Sequence, residues 1–425
     1  MPEKKKLHYA WVILLGVTLI RGVAGGGINM TSGLFLAPVA ADIGTGIGNL
    51  SIYMSISSIT MVLCLPYAGK WIHRFDIRLV TAASAFLQAV SFAALGWMQN
   101  VAGWYLLAIP QAIGASVLVN LLGPILINRW FAVKEGLMMG IQMAFVGLAG
   151  AVLQPVASFL IEKAGWRNAY FLIGGGTLLV VLLTSFFLLR NRPADLGMRP
   201  YGEQSAGKEN KARSGGAAVQ FGRHEKRNVL RSLLFYLLLI FMICITGVAV
   251  FTQHIPTFGR TAGFSPAQTG MALAFASVGN AIGSIAIGII SDRIGSLKTC
   301  FCLIGAGVAA IIGFFCSSYG FAVFGVSTFL FGILSSGVMV LSPILTIQFF
   351  GQADYEQIYA KVSMGAPLAS VLLIPVYGFI YDHMQNYIVV LISMMVLLAV
   401  SAVCIYVGWK KTNRLEKHPD ARPIG

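Results

Sequence analysis

Apolar residues run through this chain in long unbroken blocks, not in the alternating or one-faced patterns of water-exposed elements. Cutting at charged and Gly/Pro-rich breaks leaves twelve blocks: 11–38, 49–69, 79–98, 101–128, 136–161, 168–189, 232–256, 266–291, 299–318, 321–349, 358–381 and 386–409. A helix needs about 20 mostly apolar residues to cross the hydrocarbon of a bilayer. The pattern therefore predicts an all-α integral membrane protein with twelve transmembrane helices. Between the sixth and seventh blocks lies a polar, strongly basic stretch containing GKENKARSGG and GRHEKR. It reads as a linker between two six-helix halves. The expected division is 1–190 for the first bundle, 191–230 for the linker, 231–410 for the second bundle and 411–425 for a tail.

Composition agrees. Hydrophobic residues make up 57% of the chain and charged residues 11%, against about 25% charged in a soluble domain. That supply cannot cover a water-exposed surface, which excludes a soluble enzyme. Thirty Lys and Arg oppose fifteen Asp and Glu, a formal charge of +15. Basic residues collect in the cytoplasmic loops of membrane proteins. With the N-terminus inside, twenty-six of the thirty fall on the cytoplasmic side and three outside: Lys163, Arg167 and Arg260. Both termini are thus expected in the cytoplasm of a cell whose inner membrane holds the chain. The excess charge is spread over loops and not gathered in a domain, so no nucleic-acid partner is expected. The first apolar block is longer than a signal core and lacks an A-x-A exit, so no cleavable signal is expected. The six cysteines lie scattered in apolar blocks and read as packing residues. No metal cluster, phosphate loop or nucleophile–base pair stands out. Neither a metal, a cofactor nor an enzymatic activity is expected.

The halves repeat at an offset of 219–220 residues. Pro124 answers Pro343, Phe131 answers Phe350, Pro155 answers Pro375, Phe159 answers Phe379 and Glu162 answers Asp382. The turn GKWIHRFDIR from Gly69 answers GIISDRIG from Gly288. Tandem six-helix repeats build a two-part rocker around a central site.

The second of those turns, Gly288-x-x-x-Asp292-Arg293-x-Gly295-x-x-Lys298, resembles the loop signature of the major facilitator superfamily. The first copy departs from it, with His73 at the acidic position and Asp76 at the second glycine. Gly69, Arg74, Arg129, Gly288, Asp292 and Arg293 are the candidates for loops that switch conformation. Further segments resemble the monocarboxylate-transporter and oxalate:formate-antiporter-like branch: HYAWV at 8–12, NRWFAVKEGLMMG at 128–140, GWR at 165–167, RPADLGMRPYG at 192–202, QHIPTFG at 253–259 and FFGQADYEQIY at 349–359. The resemblance implies a secondary transporter for a small organic anion, a monocarboxylate, with protons or a counter-anion as coupled species, in a monomer embedded in the bilayer. Gly140, Gly147, Gly150 and Pro155 loosely resemble the superfamily's exchanger pattern in helix 5, and small residues at that spacing mainly report close packing. In one respect the chain departs from the branch. The helix-8 position where members carry a carboxylate-binding arginine holds Ser284.

Arg21 is the candidate replacement. Ten residues beyond Trp11, at 1.5 Å each, it lies about 15 Å into helix 1, near the bilayer centre. No Asp or Glu falls in the middle of any block, so an anionic ligand is one source of a partner. Backbone carbonyls freed near Gly25-Gly26-Gly27 are the other. Asn29, Asn120 and Ser284 are the remaining candidate substrate contacts. Gln111, Gln142, Gln154 and Asn280 are further intramembrane polar residues that read equally as interhelical hydrogen bonds. His254 is a candidate for proton coupling or gating, or for packing. A carrier of neutral or drug-like compounds, and a non-transporting receptor on the same scaffold, stay open as alternatives.

Overall fold

The computed structural model describes residues 8–132, 135–202, 232–350 and 355–417. The linker tracts GKENKARSGG and GRHEKR and the tail from 418 lie outside the described residues, as do Lys134 and 351–354. The described chain is helical apart from its turns. Eleven continuous stretches are long and apolar enough to cross a membrane. One of them, Glu135–Leu188, breaks at Gly165, whose φ of 81° and ψ of 158° no helix contains. Counting the two sides of that break gives twelve helices. They are α1 Ala10–Ile43, α2 Ile47–Leu65, α3 Ile77–Trp97, α4 Val101–Trp130, α5 at 138–164, α6 at 166–188, α7 Leu233–Gln253, α8 Pro266–Ser291, α9 Ser296–Phe315, α10 Phe321–Phe350, α11 Gly365–Met384 and α12 Ile388–Thr412.

The expected block at 358–381 differs in its start. A separate helix, Tyr355–Val362, ends at a turn through Ser363 and Met364 before α11 begins. Its Glu356, Gln357 and Lys361 make it too polar to continue a span, and α11 regains its length by running on to Met384.

Two compact units emerge from the packing. The first contains the described parts of Met1–Thr31, Thr60–Leu153 and Ala164–Arg227; the second contains those of Ser32–Ile59, Gln154–Lys163 and Asn228–Gly425. The boundary therefore cuts through α1, α2 and α5. In the first unit Ile13, Val17, Ile20 and Ala24 of α1 join a core with Val117, Leu118, Leu122 and Trp130 of α4. Large apolar side chains that point away from the cores, such as Leu172, Leu179, Leu183 and Phe187 of α6, are exposed. Such a surface is stable only against hydrocarbon.

Three sequence segments converge at one end of the first unit. Tyr201 packs edge-on against Trp11 and Phe131, with ring centroids 5.7 and 5.8 Å away, and against His8 at 5.4 Å. Its backbone exchanges hydrogen bonds with Trp130 and Ala132. The Tyr9 hydroxyl donates to the Leu188 carbonyl at 3.1 Å, and the Trp130 indole donates to the Arg190 carbonyl at 3.3 Å. The start of α1, the end of α4 and the chain after α6 are thus one aromatic assembly.

The second unit shows the repeat as matched packing. Ser158 near the end of α5 lies against Gly270 of α8, and its hydroxyl donates to the Pro266 carbonyl. Gly378, 220 residues later near the end of α11, lies against Gly48 of α2. There Asp382 does more than pack. One carboxylate oxygen accepts the Ile47 N–H at 2.9 Å and the other accepts the Gly48 N–H at 2.7 Å. Those are donors from the first turn of α2, which have no partner within their own helix.

The two signature turns solve one problem with different chemistry. Gly295 ends α8 with φ 86° and ψ 152° and leads into α9, a conformation costly for any residue with a Cβ. At the matching position Asp76 takes φ −59°, and its side chain accepts the Arg78 N–H at 2.7 Å, capping α3.

Candidate functional site

Arg21 is the one charged side chain other than histidine that is buried among the described residues, at 8% exposure. The sequence dictates its setting. It ends the α-helical first part of α1, and the next eight residues, Gly22–Asn29, form a π-helical segment. Three successive glycines in that segment supply little side-chain packing to hold a regular helix, and Met30 N–H bonds five residues back to the Gly25 carbonyl at 3.0 Å. Widened turns of this kind recur at functional sites. Two more occur in the same unit: Phe86–Val90 in α3, which carries Gln88, and Ser116–Leu121 in α4, which carries Asn120. The segment in α1 packs against both.

Close approach of α1 to α5 depends on Gly22 and Gly26. A Cβ on Gly26 would lie 2.9 Å from the Gly150 nitrogen, and one on Gly22 would press on Phe145 and Ala149. Small residues four apart let two helices touch backbone to backbone. That contact brings Arg21 beside Gln142, one turn before Phe145. Arg21 Nη1 donates to Gln142 Oε1 at 3.2 Å. The Gln142 amide, 1% exposed, lies where a Cβ on Gly123 of α4 would collide with it. Arg21 Nε and Gln142 Nε2 have no hydrogen-bond partner. Leaving buried polar groups unpaired costs about 1–3 kcal/mol each, and more beside a charge.

Gln88, missed in the sequence, is a second buried amide that reaches α1, from α3. Its amide nitrogen donates to the Ala24 carbonyl at 3.2 Å and lies 3.4 Å from Asn29 Oδ1, while its own oxygen is unpartnered. An amide in the middle of an apolar block was the available signal. Asn29 is therefore tied to α3 through Gln88. Asn120 is half-buried, and its amide donates to the Met61 sulfur at 3.1 Å. Ser284 belongs to the second unit, and its hydroxyl donates to the Asn280 carbonyl one turn back at 2.8 Å. Gln154 accepts from Ser277 at 3.0 Å within that unit.

His254 sits at the break between α7 and the short helix Ile255–Thr261, with no exposed surface. Nε2 lies 2.9 Å from the Ile374 carbonyl, which can only accept, so Nε2 carries the proton. The neutral Nδ1 then accepts from the Tyr387 hydroxyl at 3.3 Å. Phe251, Tyr377 and Tyr387 surround the ring. Both nitrogens are thus engaged by protein.

Of the loop residues, Arg129 donates to the Asn191 side chain, tying the end of α4 to the chain after α6. Arg74 is exposed, with its guanidinium 5.7 Å from the Phe75 ring, and Arg293 is exposed at the end of α8. Gly69 has open space around it. The side chain of Asp292 and the surroundings of Gly288 lie outside the described residues.

Twelve apolar helices of membrane-crossing length define a polytopic membrane protein. A family model described as the Major Facilitator Superfamily matches residues 17–350 and 255–423. The "Uncharacterized MFS-type transporter YhjX" of Escherichia coli (strain K12) is 22% identical over 371 residues, covering 85% of this chain and 86% of that one. "Monocarboxylate transporter 12" of Xenopus laevis is 18% identical over 446 residues, covering 99% and 95%. Among solved structures, a bacterial homolog of the human lysosomal transporter Spinster, inward-facing and occupied, superposes with a TM-score of 0.70 at 12% identity, covering 96% of this chain and 97% of that one. The chain belongs to the Major Facilitator Superfamily. It is a multi-pass membrane transporter and not an enzyme.

Proposed function

We propose that this transporter moves a small organic anion, a monocarboxylate, by alternating access, and that Arg21 holds the carboxylate. The observation that carries this reading is the state of Arg21. It is a buried guanidinium with one uncharged partner and an unpartnered Nε. A cation at the bilayer centre costs about 2.5–3.5 kcal/mol on insertion scales, and a bound carboxylate offsets that cost with a planar match to the guanidinium fork. The printed name of the Xenopus relative supports the same ligand class.

On this reading Asn29 and Asn120 add polar contacts from the first bundle and Ser284 from the second, and the linker at 191–230 joins two rocking six-helix bundles. In the same scheme the twenty-six basic residues of the loops and tails face the cytoplasm, and the chain sits as a monomer in the inner membrane with both termini inside, the orientation that the positive-inside rule favours. Arg74, Arg129, Asp292 and Arg293 then hold the cytoplasmic face in one of its states. Protons or a counter-anion complete the coupling. His254, with both nitrogens held by protein, serves this scheme better as a packing pivot than as a proton carrier. A carrier of neutral compounds is the second reading, favoured by Ser284 in the slot where the related branch places arginine.

Uptake of radiolabelled acetate and lactate into proteoliposomes tests the choice. Arg21→Gln is expected to abolish saturable uptake while leaving the protein folded. Unchanged uptake by the variant would remove Arg21 from the site.

A further inference from the structure

The cluster at Arg21 contains a second donor with nothing to bond. Gln142 presents its carbonyl oxygen to Arg21 Nη1, which turns its NH2 end away from that bond. The NH2 end is buried and unpartnered, as is Arg21 Nε. Donors left over on two bonded side chains call for an acceptor-only group. Among protein side chains only ionised carboxylates are strong acceptors that carry no donor, and no Asp or Glu lies in the middle of any described transmembrane helix. The amide is also tightly held. α1 fixes it through Arg21, and α4 confines it at Gly123.

We propose that Gln142 is a second substrate ligand, its NH2 group donating to the carboxylate that Arg21 Nε also engages, so that this Arg–Gln pair selects monocarboxylates over neutral solutes. The inference rests on the reading of Arg21 as the anion's anchor. It adds a ligand on α5 to a site so far built from α1, α4 and α8, and it explains why Gly123 stays bare. A methyl group there would displace the amide from its place beside Arg21. It also gives the π-helical segment after Arg21 a role, because its glycines bring α1 close enough to α5 for the two side chains to act as one.

The test uses the purified full-length protein in nanodiscs, with acetate, propionate and lactate as probes, read by isothermal titration and by thermal melting. Gln142→Met removes the donor, and carboxylate affinity should fall about 10- to 100-fold, the worth of a hydrogen bond to a charged group. Gln142→Glu keeps the volume but supplies Arg21 with an internal carboxylate. Binding should be lost while the melting temperature rises, which checks that residue 142 faces the Arg21 guanidinium that holds the substrate. Should Gln142→Met fail to fold, Gly123→Ala, which displaces the amide and leaves Arg21 intact, carries the test with the same expected loss.

Affinity within twofold of wild type in Gln142→Met, or in Gly123→Ala where that variant carries the test, with Arg21→Gln unable to bind, overturns the role of Gln142 and leaves Arg21 in place. In that event the unpartnered amide holds only water. Normal binding by Arg21→Gln overturns both assignments, as does failure of the wild type to bind any of the three acids.

Discussion

Replacing Asp382 with alanine should loosen the grip of α11 on the start of α2. Both oxygens of this carboxylate accept backbone N–H groups, from Ile47 at 2.9 Å and Gly48 at 2.7 Å. Hydrogen bonds to charged groups contribute about 1.5–3 kcal/mol each when well shielded. Placing a negative charge at a helix N-terminus adds about 0.3–1 kcal/mol. Asp382 is only half-buried, so solvent screening and competing water reduce the sum. About 2 kcal/mol for the pair is a fair expectation, equivalent to a roughly 30-fold change in an opening equilibrium. On the proposed alternating-access mechanism, any step that parts the start of α2 from α11 has to break this contact, so the contact sets how readily that opening occurs. Hydrogen exchange read on peptides spanning 44–54 reports it directly, because the two amides that Asp382 holds are themselves the probes. Asp382→Ala should raise exchange at Ile47 and Gly48 about 30-fold. Asp382→Asn, with one acceptor oxygen left, should fall between the two. Equal protection in all three proteins would refute the reasoning.

The two signature turns should respond to different substitutions. Gly295→Ala forces a Cβ into φ 86° and should cost about 1–3 kcal/mol, whereas Asp76→Ala loses a helix cap worth about 1 kcal/mol. Thermal melts in detergent should rank the glycine variant lower. Tyr201→Ala should undo the aromatic assembly with Trp11 and Phe131 and speed tryptic cleavage after Arg190, the arginine of this segment not followed by proline, several-fold. A cleavage rate equal to wild type would mean that the segment is held by its backbone bonds to Trp130 and Ala132 alone.

The twelve spans were legible because the length of an apolar block is a property of the chain by itself. Ser158 against Gly270 and Gly378 against Gly48 are similar helix contacts, at offsets of 220 and 222 residues. What neighbours decide was not legible. The glycines after Arg21 signalled a loosened helix, yet neither they nor the ordinary sequences around Gln88 and Asn120 announce π-helical turns, which arise where packing against other helices favours a widened turn. Gln142 read as one polar residue among several until its partner on α1 was visible. The branch-like segments HYAWV, NRWF and RPADLGMRPYG looked like separate signatures. Folded, the first two meet around Tyr201 of the third, which is a packing reason for their co-occurrence. The start of α11 was misjudged because an apolar count runs through Ile358, Tyr359 and Val362 without registering the turn at Ser363.

The isolation of Arg21 from any acidic side chain in the described helices has an electrical consequence. On the proposed mechanism the empty site bears a positive charge and the loaded site, holding a monovalent anion, is neutral. Switching an empty site from one face to the other then carries that charge through the membrane potential, worth about 2.3 kcal/mol per 100 mV. The loaded site makes the same crossing without feeling the field. Voltage would therefore govern the unloaded return and leave the substrate-bearing step alone. In polarised proteoliposomes the maximal rate, wherever that return limits it, would follow the applied potential.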